Sequence, residues 1–207
     1  MVDRKEDSLN PKRFQDAAAE SFRQVEFVAL LKNNGDKVYN FAWRLSGNEQ
    51  DAWDLFQETL MKAYSRFESY DRNRPFDSWL FKILQNVYFD ERRRDSRKST
   101  ASLDAPSPIP GKPWEEILPS ADLHPLDRFA REENIDAVQK ALASLSPLYR
   151  TAVILCDMQG LSYDAIAEIM SCPIGTVRSR VHQARQLLKK AFEGLTNTTS
   201  NSNRQLQ

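Results

Sequence analysis

The fold of this chain is decided by residues 161–192, which read LSYDAIAEIMSCPIGTVRSRVHQARQLLKKAF. Ser162 can cap a short helix, because its side-chain oxygen can accept a hydrogen bond from an amide of the first turn. The apolar residues of that helix share one face: Ile166, Ala167 and Met170. Pro173 can open a second helix after the short break at Ser171 and Cys172, since proline suits the first helical position. The stretch therefore predicts two helices joined by a tight turn.

The second of these helices is amphipathic and carries a local excess of positive charge. At the helical period of about 3.6 residues, its apolar side chains form one stripe: Val177, Val181, Ala184, Leu188 and Ala191. Residues 171–191 contain five arginines and lysines and no acidic residue, although the whole chain carries 29 basic and 29 acidic side chains. The positive charge is thus segregated on one helix, as expected of a protein that meets a polyanion at a single patch.

Two helices, a tight break and a basic second helix predict a helix-turn-helix whose second helix fits the major groove of DNA. The side chains placed to read base edges lie near the exposed start of that helix: Arg178, Ser179, His182 and Gln183. The alternative is a solvated basic surface, which is commoner among charged helices. The absence of acidic residues along the whole helix favours DNA.

Proline content divides the chain into two helical blocks. Residues 99–125 contain six of the ten prolines and no sustained periodicity, which predicts an extended linker. On either side, at 19–98 and 126–193, apolar residues recur at helical spacing, and no useful length alternates as a strand should. Residues 1–18 and 194–207 are predicted to be disordered tails. The expected fold is all-α, with two small helical domains.

Composition excludes several classes of function. The N-terminal residues are too charged for a secretory signal, and no apolar run approaches the roughly 20 residues that span a bilayer, so a cytoplasmic protein is expected. Cys156 and Cys172 form no ligand pair, and His124 lies far from His182 in sequence, so no metal or other cofactor is expected. The chain has no phosphate-binding glycine loop and no nucleophile near a histidine, which argues against an enzyme.

The two-helix stretch resembles a known family. Its run PIGTVRSR, with the trailing AR, is similar to the promoter-reading C-terminal domain of extracytoplasmic-function sigma factors, the small exchangeable specificity subunits of bacterial RNA polymerase. Ser171 departs from the pattern, since many helix-turn-helix proteins have glycine there. The minus-thirty-five contacts that the resemblance implies are Thr176, Arg178, Ser179, Arg180, His182, Gln183 and Arg185.

A helix in the first block has one apolar and one acidic face. Asn48 can cap it, and its apolar stripe is Ala52, Phe56, Thr59, Ala63 and Phe67. The run DAWDLFQETLMKAY resembles the sigma helix that docks on the coiled coil of the largest polymerase subunit. The polymerase contacts that this implies are Asp51, Asp54, Gln57, Glu58 and an exposed Met61. A solvated surface is the alternative for this acidic face.

A second promoter contact is implied by residues 66–98. Pro75 and the polar residues around Asn73 interrupt the helical periodicity and predict a loop over residues 69–76. The run resembles the sigma segment that melts the minus-ten element, in which the loop holds a flipped non-template base. The contacts that this implies are Ser69, Tyr70, Asp71, Arg72, Asn73, Arg74, Phe76, Arg92, Arg93 and Arg94. Trp79 is expected to be mainly structural, and the triple arginine also suits a helix C-terminus by the dipole alone.

The resemblance covers about residues 20–192 and implies a sigma factor with two partners. These are core RNA polymerase, through its coiled coil and flap regions, and promoter DNA, both as duplex and as non-template single strand. The linker would run toward the polymerase active centre, where Asp104, Glu115 and Glu116 could imitate nucleic-acid charge; a flexible tether is equally simple. Control by an anti-sigma factor or another recruiter stays open. The alternative function is an autonomous helix-turn-helix regulator, which would need neither the acidic face nor the loop.

Overall fold

The computed structural model describes residues 11–95 and 132–202, and within these ranges only helices and turns occur. The helices are α1 (Pro11–Ser46), α2 (Glu49–Ser65), α3 (Phe76–Asp95), α4 (Glu132–Ala143), α5 (Pro147–Val153), α6 (Tyr163–Ile169) and α7 (Ile174–Ser202). A 3₁₀ turn, Phe67–Ser69, follows α2, and a π turn, Ile154–Met158, extends α5. The predicted all-α class is confirmed. The proline-rich linker, with Asp104, Glu115 and Glu116, lies outside the described residues.

In the first domain, α1, α2 and α3 pack against one another. Asn48 caps α2 as predicted, since its Oδ1 accepts a hydrogen bond from the Asp51 amide at 2.8 Å. The predicted apolar stripe is buried: Ala52, Phe56, Thr59 and Ala63 in α2, and Phe67 in the turn after it. Edge-to-face ring pairs fill the interior, for example Phe27 with Phe67 at 5.1 Å between centroids.

In the second domain, α5 and α6 pack on α7, and α4 lies along the same helix. Ser162 caps α6 as predicted, because its Oγ accepts a hydrogen bond from the Ala165 amide at 3.2 Å. Pro147 begins α5, whereas the side chain of Ser146 makes no capping bond. After the π turn, Gly160 has a φ of +68°, in the left-handed region that glycine enters without steric cost.

Two of the described helices extend into the predicted tails. Helix α1 begins at Pro11 rather than near residue 19, and α7 runs to Ser202 rather than ending near 193. Once a helix is nucleated, each added residue gains one hydrogen bond for one residue fixed. No proline follows Pro173 to stop α7, and three alanines at 17–19 favour helix at the other end. Helices therefore enter both predicted tails, and the disorder of those tails stays a prediction.

The two domains also pack against each other, which the sequence analysis did not predict. Helix α1 contacts α4 and α5, and α3 packs on α6. The buried apolar residues of both domains form one connected cluster, which includes Leu45 and Leu84 from the first domain and Leu142 and Ile154 from the second. This arrangement brings the loop before α3 close to the helix-turn-helix.

Candidate nucleic-acid interface

The turn of the helix-turn-helix is built around a left-handed serine. Ser171 has a φ of +48°, the only non-glycine residue with positive φ in the described ranges. The amide of Cys172 donates to the Ala167 carbonyl at 3.0 Å, and the amide of Ser171 donates to the Glu168 carbonyl at 3.4 Å. This pair of bonds ends α6 in a Schellman motif, the geometry that usually selects glycine at this position. The departure seen in the sequence is thus a strained residue in a standard turn.

Helix α7 is fixed by its apolar stripe and presents its polar face outward. Val177, Val181 and Ala184 are completely buried, and Leu188 and Ala191 are half-buried, as the periodicity predicted. The groove-facing side chains predicted from the sequence are exposed: Arg178, Ser179, His182 and Gln183. A rigid backbone under exposed polar side chains is what base-edge recognition requires.

Some of the exposed side chains of α7 already make hydrogen bonds within the protein, and others do not. The Ser179 hydroxyl donates to the Thr176 carbonyl at 2.9 Å, and the Gln186 amide nitrogen lies 2.9 Å from His182 Nε2. Arg178 and Gln183 make no side-chain hydrogen bond or ion pair with any described residue. These two are therefore the groups most available to base edges. Gln186, which orients His182, was not among the predicted site residues, although its i,i+4 spacing from His182 is visible in the sequence.

Two arginines expected at the DNA are instead tied to the domain. The Arg185 guanidinium donates to Asp157 through Nε, at 3.0 Å, and through Nη2, at 2.5 Å. The hydrogen bond from Arg185 lowers the pKa of Asp157 from its ordinary value. Arg180 is half-buried, and its Nη1 lies 3.4 Å from Cys172 Sγ. In this conformation both arginines position α7 against its neighbours rather than reaching outward.

The acidic face of α2 has the predicted position, with one correction. Asp51 and Asp54 are exposed, while Gln57, Glu58 and Met61 are half-buried, so Met61 is not the exposed residue that was expected. Glu58 pairs with Lys62 one turn later at 2.7 Å. Asp51 accepts a hydrogen bond from the Asn48 side chain at 2.7 Å. Asp54 has no such partner within the described residues, which leaves its carboxylate open to another protein.

The loop between the 3₁₀ turn and α3 is a fixed turn. The Asp71 carboxylate accepts from both the backbone and the side-chain nitrogen of Asn73, each at 3.0 Å, and these bonds lower the pKa of Asp71. The Arg74 amide donates to the Asp71 carbonyl at 3.0 Å. Below the loop, the Tyr70 hydroxyl donates to the Arg74 carbonyl at 2.6 Å. Asp71 and Tyr70 therefore hold the loop in shape.

Two aromatic residues predicted to face the DNA strand are buried instead. Phe76 is 4% exposed and Tyr70 is 6% exposed, so neither offers a free ring face for a base. Both belong to an aromatic cluster with Phe67 and Trp79, in which Tyr70 and Trp79 lie 5.0 Å apart between centroids. In this conformation the rings of Phe76 and Tyr70 complete the core below the loop, and their contact with the minus-ten strand stays a prediction. Trp79 is half-buried against that core, as expected.

The loop arginines are exposed but paired with carboxylates. Arg72 donates to Glu26 through Nε at 3.0 Å and Nη2 at 2.9 Å, and its guanidinium lies over the Phe67 ring at 5.2 Å. Arg74 Nη1 lies 2.8 Å from Glu168 Oε2 in the second domain. The triple arginine ends α3 on the surface, where Arg92 stacks on the Tyr88 ring at 5.5 Å.

Comparison with known proteins shows the family to which the two helical domains belong. Residues 30–98 match the Sigma-70 region 2 family, and residues 135–188 match the Sigma-70, region 4 family. The ECF RNA polymerase sigma factor SigE of Mycolicibacterium smegmatis is 35% identical over 187 residues, which are 90% of this chain and 69% of that protein. The chain is an extracytoplasmic-function sigma factor of the sigma-70 family. Sigma factors are transcription initiation factors.

Two further relatives agree with this assignment. The ECF RNA polymerase sigma factor SigW of Bacillus subtilis is 32% identical over 173 residues, which are 83% of this chain and 91% of that protein. The solved complex of the sigma factor RpoE with the anti-sigma factor NepR from Bartonella quintana aligns with a TM-score of 0.61 and 29% identity, over 84% of this chain and 98% of that one. An autonomous regulator, the alternative from the sequence, gains no support from these matches.

A cavity of about 770 Å³ separates the loop of this sigma factor from its helix-turn-helix. Three cations line it, Arg66, Arg74 and Lys82, together with polar side chains that include Asn86. Three of these residues were not among the predicted site residues: Arg66, Lys82 and Asn86. A signal was available for Lys82 and Asn86, which lie one turn apart on the exposed face of α3, directly after the loop.

The remaining polar chemistry of the sigma factor is sparse. Cys156 and Cys172 are half-buried free thiols, and burial, followed by the adjacent Asp157, raises the pKa of Cys156. Within residues 11–95 and 132–202, no group of histidine, cysteine and acidic residues could hold a metal ion. No helix in the same ranges is both long and apolar enough to cross a membrane.

Proposed function

We propose that this sigma factor reads the minus-thirty-five element with the exposed face of α7 and holds the melted minus-ten strand at the loop before α3. The observation that carries the proposal is the start of α7, where Arg178 and Gln183 are exposed and unpartnered on a helix fixed by completely buried residues. Arginine suits guanine and glutamine suits adenine in the major groove, each through a two-point contact. Thr176, Ser179 and His182 complete the reading face.

The remaining basic groups of α7 bind phosphate in this proposal. Lys189 and Lys190 are exposed toward the far end of the helix. Arg180 and Arg185 contribute only after exchanging their contacts with Cys172 and Asp157 for phosphate oxygens. Phosphate contacts fix the position of the helix on the duplex but carry no sequence information directly.

At the minus-ten element, the exposed loop residues meet the single strand: Ser69, Asp71, Arg72, Asn73 and Arg74. Tyr70 and Phe76 support this loop from below. The cations Arg66 and Lys82 extend the same surface along α3, and the three terminal arginines of that helix supply phosphate contacts. A fixed loop with cations on both sides suits an extruded base, whose unstacking costs about a few kcal/mol.

The acidic face of α2 provides the contact with core polymerase. Asp54 is the exposed carboxylate with no described partner, and Asp51 lies beside it. Complementary charge would improve partner selection and association rate more than affinity. The proposed surface also includes Gln57, Glu58 and Met61. Because polymerase and promoters share the bacterial cytoplasm, we place the protein there, acting by binding rather than by catalysis.

An anti-sigma factor is the proposed regulatory partner. The RpoE structure, which is 29% identical and aligns over most of both chains, is a complex with the anti-sigma factor NepR. The same kind of partner for this chain would compete with polymerase or with DNA for the two domains. The inducing signal and the target promoters are not specified by these residues.

A transcription assay with core polymerase on a randomised minus-thirty-five library tests the reading face. Arg178→Ala with Gln183→Ala is expected to change the preferred bases, because each base contact discriminates by about 1–3 kcal/mol. The matched control, Lys189→Ala with Lys190→Ala, should lower binding to all sequences nearly alike and reduce the salt slope. Unchanged base preference in the first variant would remove α7 as the reader through these side chains.

A further inference from the structure

Every nitrogen of the Arg72 guanidinium has a partner inside the first domain. Nε and Nη2 donate to the two carboxylate oxygens of Glu26, at 3.0 and 2.9 Å, and Nη1 donates to the Tyr70 carbonyl at 3.1 Å. The guanidinium also lies over the Phe67 ring, at 5.2 Å from its centroid. A forked carboxylate pair on one side and a ring below define both the position and the plane of the cation. Arg72 is therefore oriented before any DNA strand arrives.

The same contacts leave part of the guanidinium available to a ligand. Arginine carries five N–H groups, and the bonds to Glu26 and Tyr70 use one on each nitrogen. One N–H therefore remains on each terminal nitrogen. Arg72 is exposed, whereas Glu26 is half-buried on α1. The carboxylate thus belongs to the body of the domain, and the arginine that it holds lies at the surface of the loop.

Glu26 lies on a rigid part of the fold, before the segment that matches the family. The Sigma-70 region 2 match begins at residue 30, about one helical turn after Glu26. The next residue, Phe27, is buried, and its ring packs edge-to-face on Phe67 and Phe76, which flank the loop on either side. The backbone of α1 at Glu26 is therefore tied to the base of the loop, so the carboxylate does not move with the loop itself.

A carboxylate beside an arginine that meets DNA can act in two opposite ways. It can compete with phosphate for the cation, or it can hold the cation in the position that phosphate needs. Competition would leave the half-buried Glu26 carboxylate without its partner once DNA is bound, which is costly. Holding the cation keeps the pair intact and reduces the entropy that is lost when a long side chain is ordered on binding. The geometry favours holding.

We propose that Glu26 is a positioning residue for the minus-ten contact: it holds Arg72 over the Phe67 ring, so that the remaining N–H groups meet a phosphate of the melted strand. Glu26 acts through Arg72 and does not touch DNA itself. The inference rests on the function proposed for the loop. Loss of the Glu26 charge should weaken capture of the strand and leave the reading of the minus-thirty-five element unchanged.

The test compares variants of the full chain in complex with core polymerase. Glu26→Gln keeps the shape of the side chain and one acceptor oxygen but removes the charge. Arg72→Ala removes the positioned group, and a double variant combines both changes. The matched control is Glu68→Gln, because Glu68 also pairs with a neighbouring residue of the first domain, Arg23 of α1, at 3.0 Å, but lies in the 3₁₀ turn before the loop.

Permanganate reactivity of unpaired thymines measures open-complex formation on a duplex promoter that the wild-type complex transcribes. Glu26→Gln is expected to lower the yield of open complexes about two- to tenfold, which corresponds to the cost of ordering one long side chain on binding. In the Arg72→Ala background, Glu26→Gln should cause no further loss. Glu68→Gln should form open complexes at the wild-type level. Both glutamine variants should unfold at similar urea concentrations, so a difference in melting between them is not a difference in stability.

Three results would overturn the positioning role. The first is a higher yield of open complexes from Glu26→Gln, because the carboxylate then competes with DNA. The second is a full additional loss from Glu26→Gln in the Arg72→Ala background, because Glu26 then acts elsewhere. The third is a loss of open complexes from Arg72→Ala but not from Glu26→Gln. The proposed function of the loop fails by a different result, in which Arg72→Ala and Arg74→Ala both leave open-complex formation unchanged.

Discussion

The pair between Arg185 and Asp157 separates two roles for this arginine. Its two hydrogen bonds, at 3.0 and 2.5 Å, form the forked geometry of a strong ion pair. The side chains are 52% and 36% exposed, so water screens their attraction. Exposed pairs contribute about 0.2–1 kcal/mol, and the forked geometry favours the upper part of that range. We expect Asp157→Asn and Arg185→Met each to lower the free energy of unfolding by up to about 1 kcal/mol. Because both variants remove the same interaction, the double variant should lose little more than either single variant.

The ion pair between Arg185 and Asp157 also makes the stability of the folded state depend on pH, with a definite sign. The hydrogen bond from Arg185 lowers the pKa of Asp157 in the folded state. A lowered carboxyl pKa stabilises the folded state where the carboxyl is ionised, so its contribution is complete above the unfolded pKa of about 3.9. The contribution is lost as the pH falls through the folded-state pKa. Wild type and Asp157→Asn should therefore differ in stability at neutral pH and converge in acid.

A double-mutant cycle in urea, at pH 7 and in acid, measures the coupling between the two side chains. The control is a second cycle between Asp157 and Arg178, which lies on the same helix as Arg185 but forms no ion pair with a described residue, so the two should show almost no coupling. Coupling near zero for Arg185 and Asp157 at pH 7 would refute the positioning role. If Arg185 leaves Asp157 to bind a phosphate in the promoter complex, Arg185→Met should lower the salt slope of promoter binding by about one. Asp157→Asn keeps the arginine and should retain the wild-type salt slope.

Three further outcomes are expected. Ser171→Gly should raise the free energy of unfolding by up to about 1 kcal/mol, because left-handed strain of about 1–2 kcal/mol exceeds the entropy cost of glycine. Gly160→Ala should lower the free energy of unfolding in the same urea titration. Phe76→Ala should cost about 3–5 kcal/mol of stability, since the ring is buried, so a pre-melted template should not restore its transcription. Asp54→Lys should weaken co-purification with core polymerase and keep the helical content. The control, Asp36→Lys, is also exposed and should leave co-purification unchanged. Equal binding by both variants would exclude the acidic face of α2 as the polymerase contact.

Features that depend on one helix were predictable from the sequence. The stripe beginning at Val177, the caps at Asn48 and Ser162, and the irregular position at Ser171 all follow from spacing within a few residues. The burial of Phe76 was not predictable in this way. An aromatic residue beside a proline-containing loop fits both a core and a base-stacking surface, and only the packing of Phe27 and Phe67 around it decides between them.

The contact between the domains could not be predicted from the sequence for a different reason. Its main acceptors are backbone carbonyls of Trp43, Arg44 and Leu45, and a carbonyl is present at every residue, so it leaves no pattern in the sequence. The donors are single residues in α4 and α5, and an arginine at position 150 reads as an ordinary charged side chain until its burial is known. Burial of a guanidinium without a carboxylate is costly unless carbonyls receive its hydrogen bonds. The position of Arg150 is thus evidence about the domain arrangement. Separating the domains would remove the Leu45 acceptor and expose the cation to water. Because water would then solvate the cation, the arginine that stabilises the packed form also lowers the cost of separating the domains.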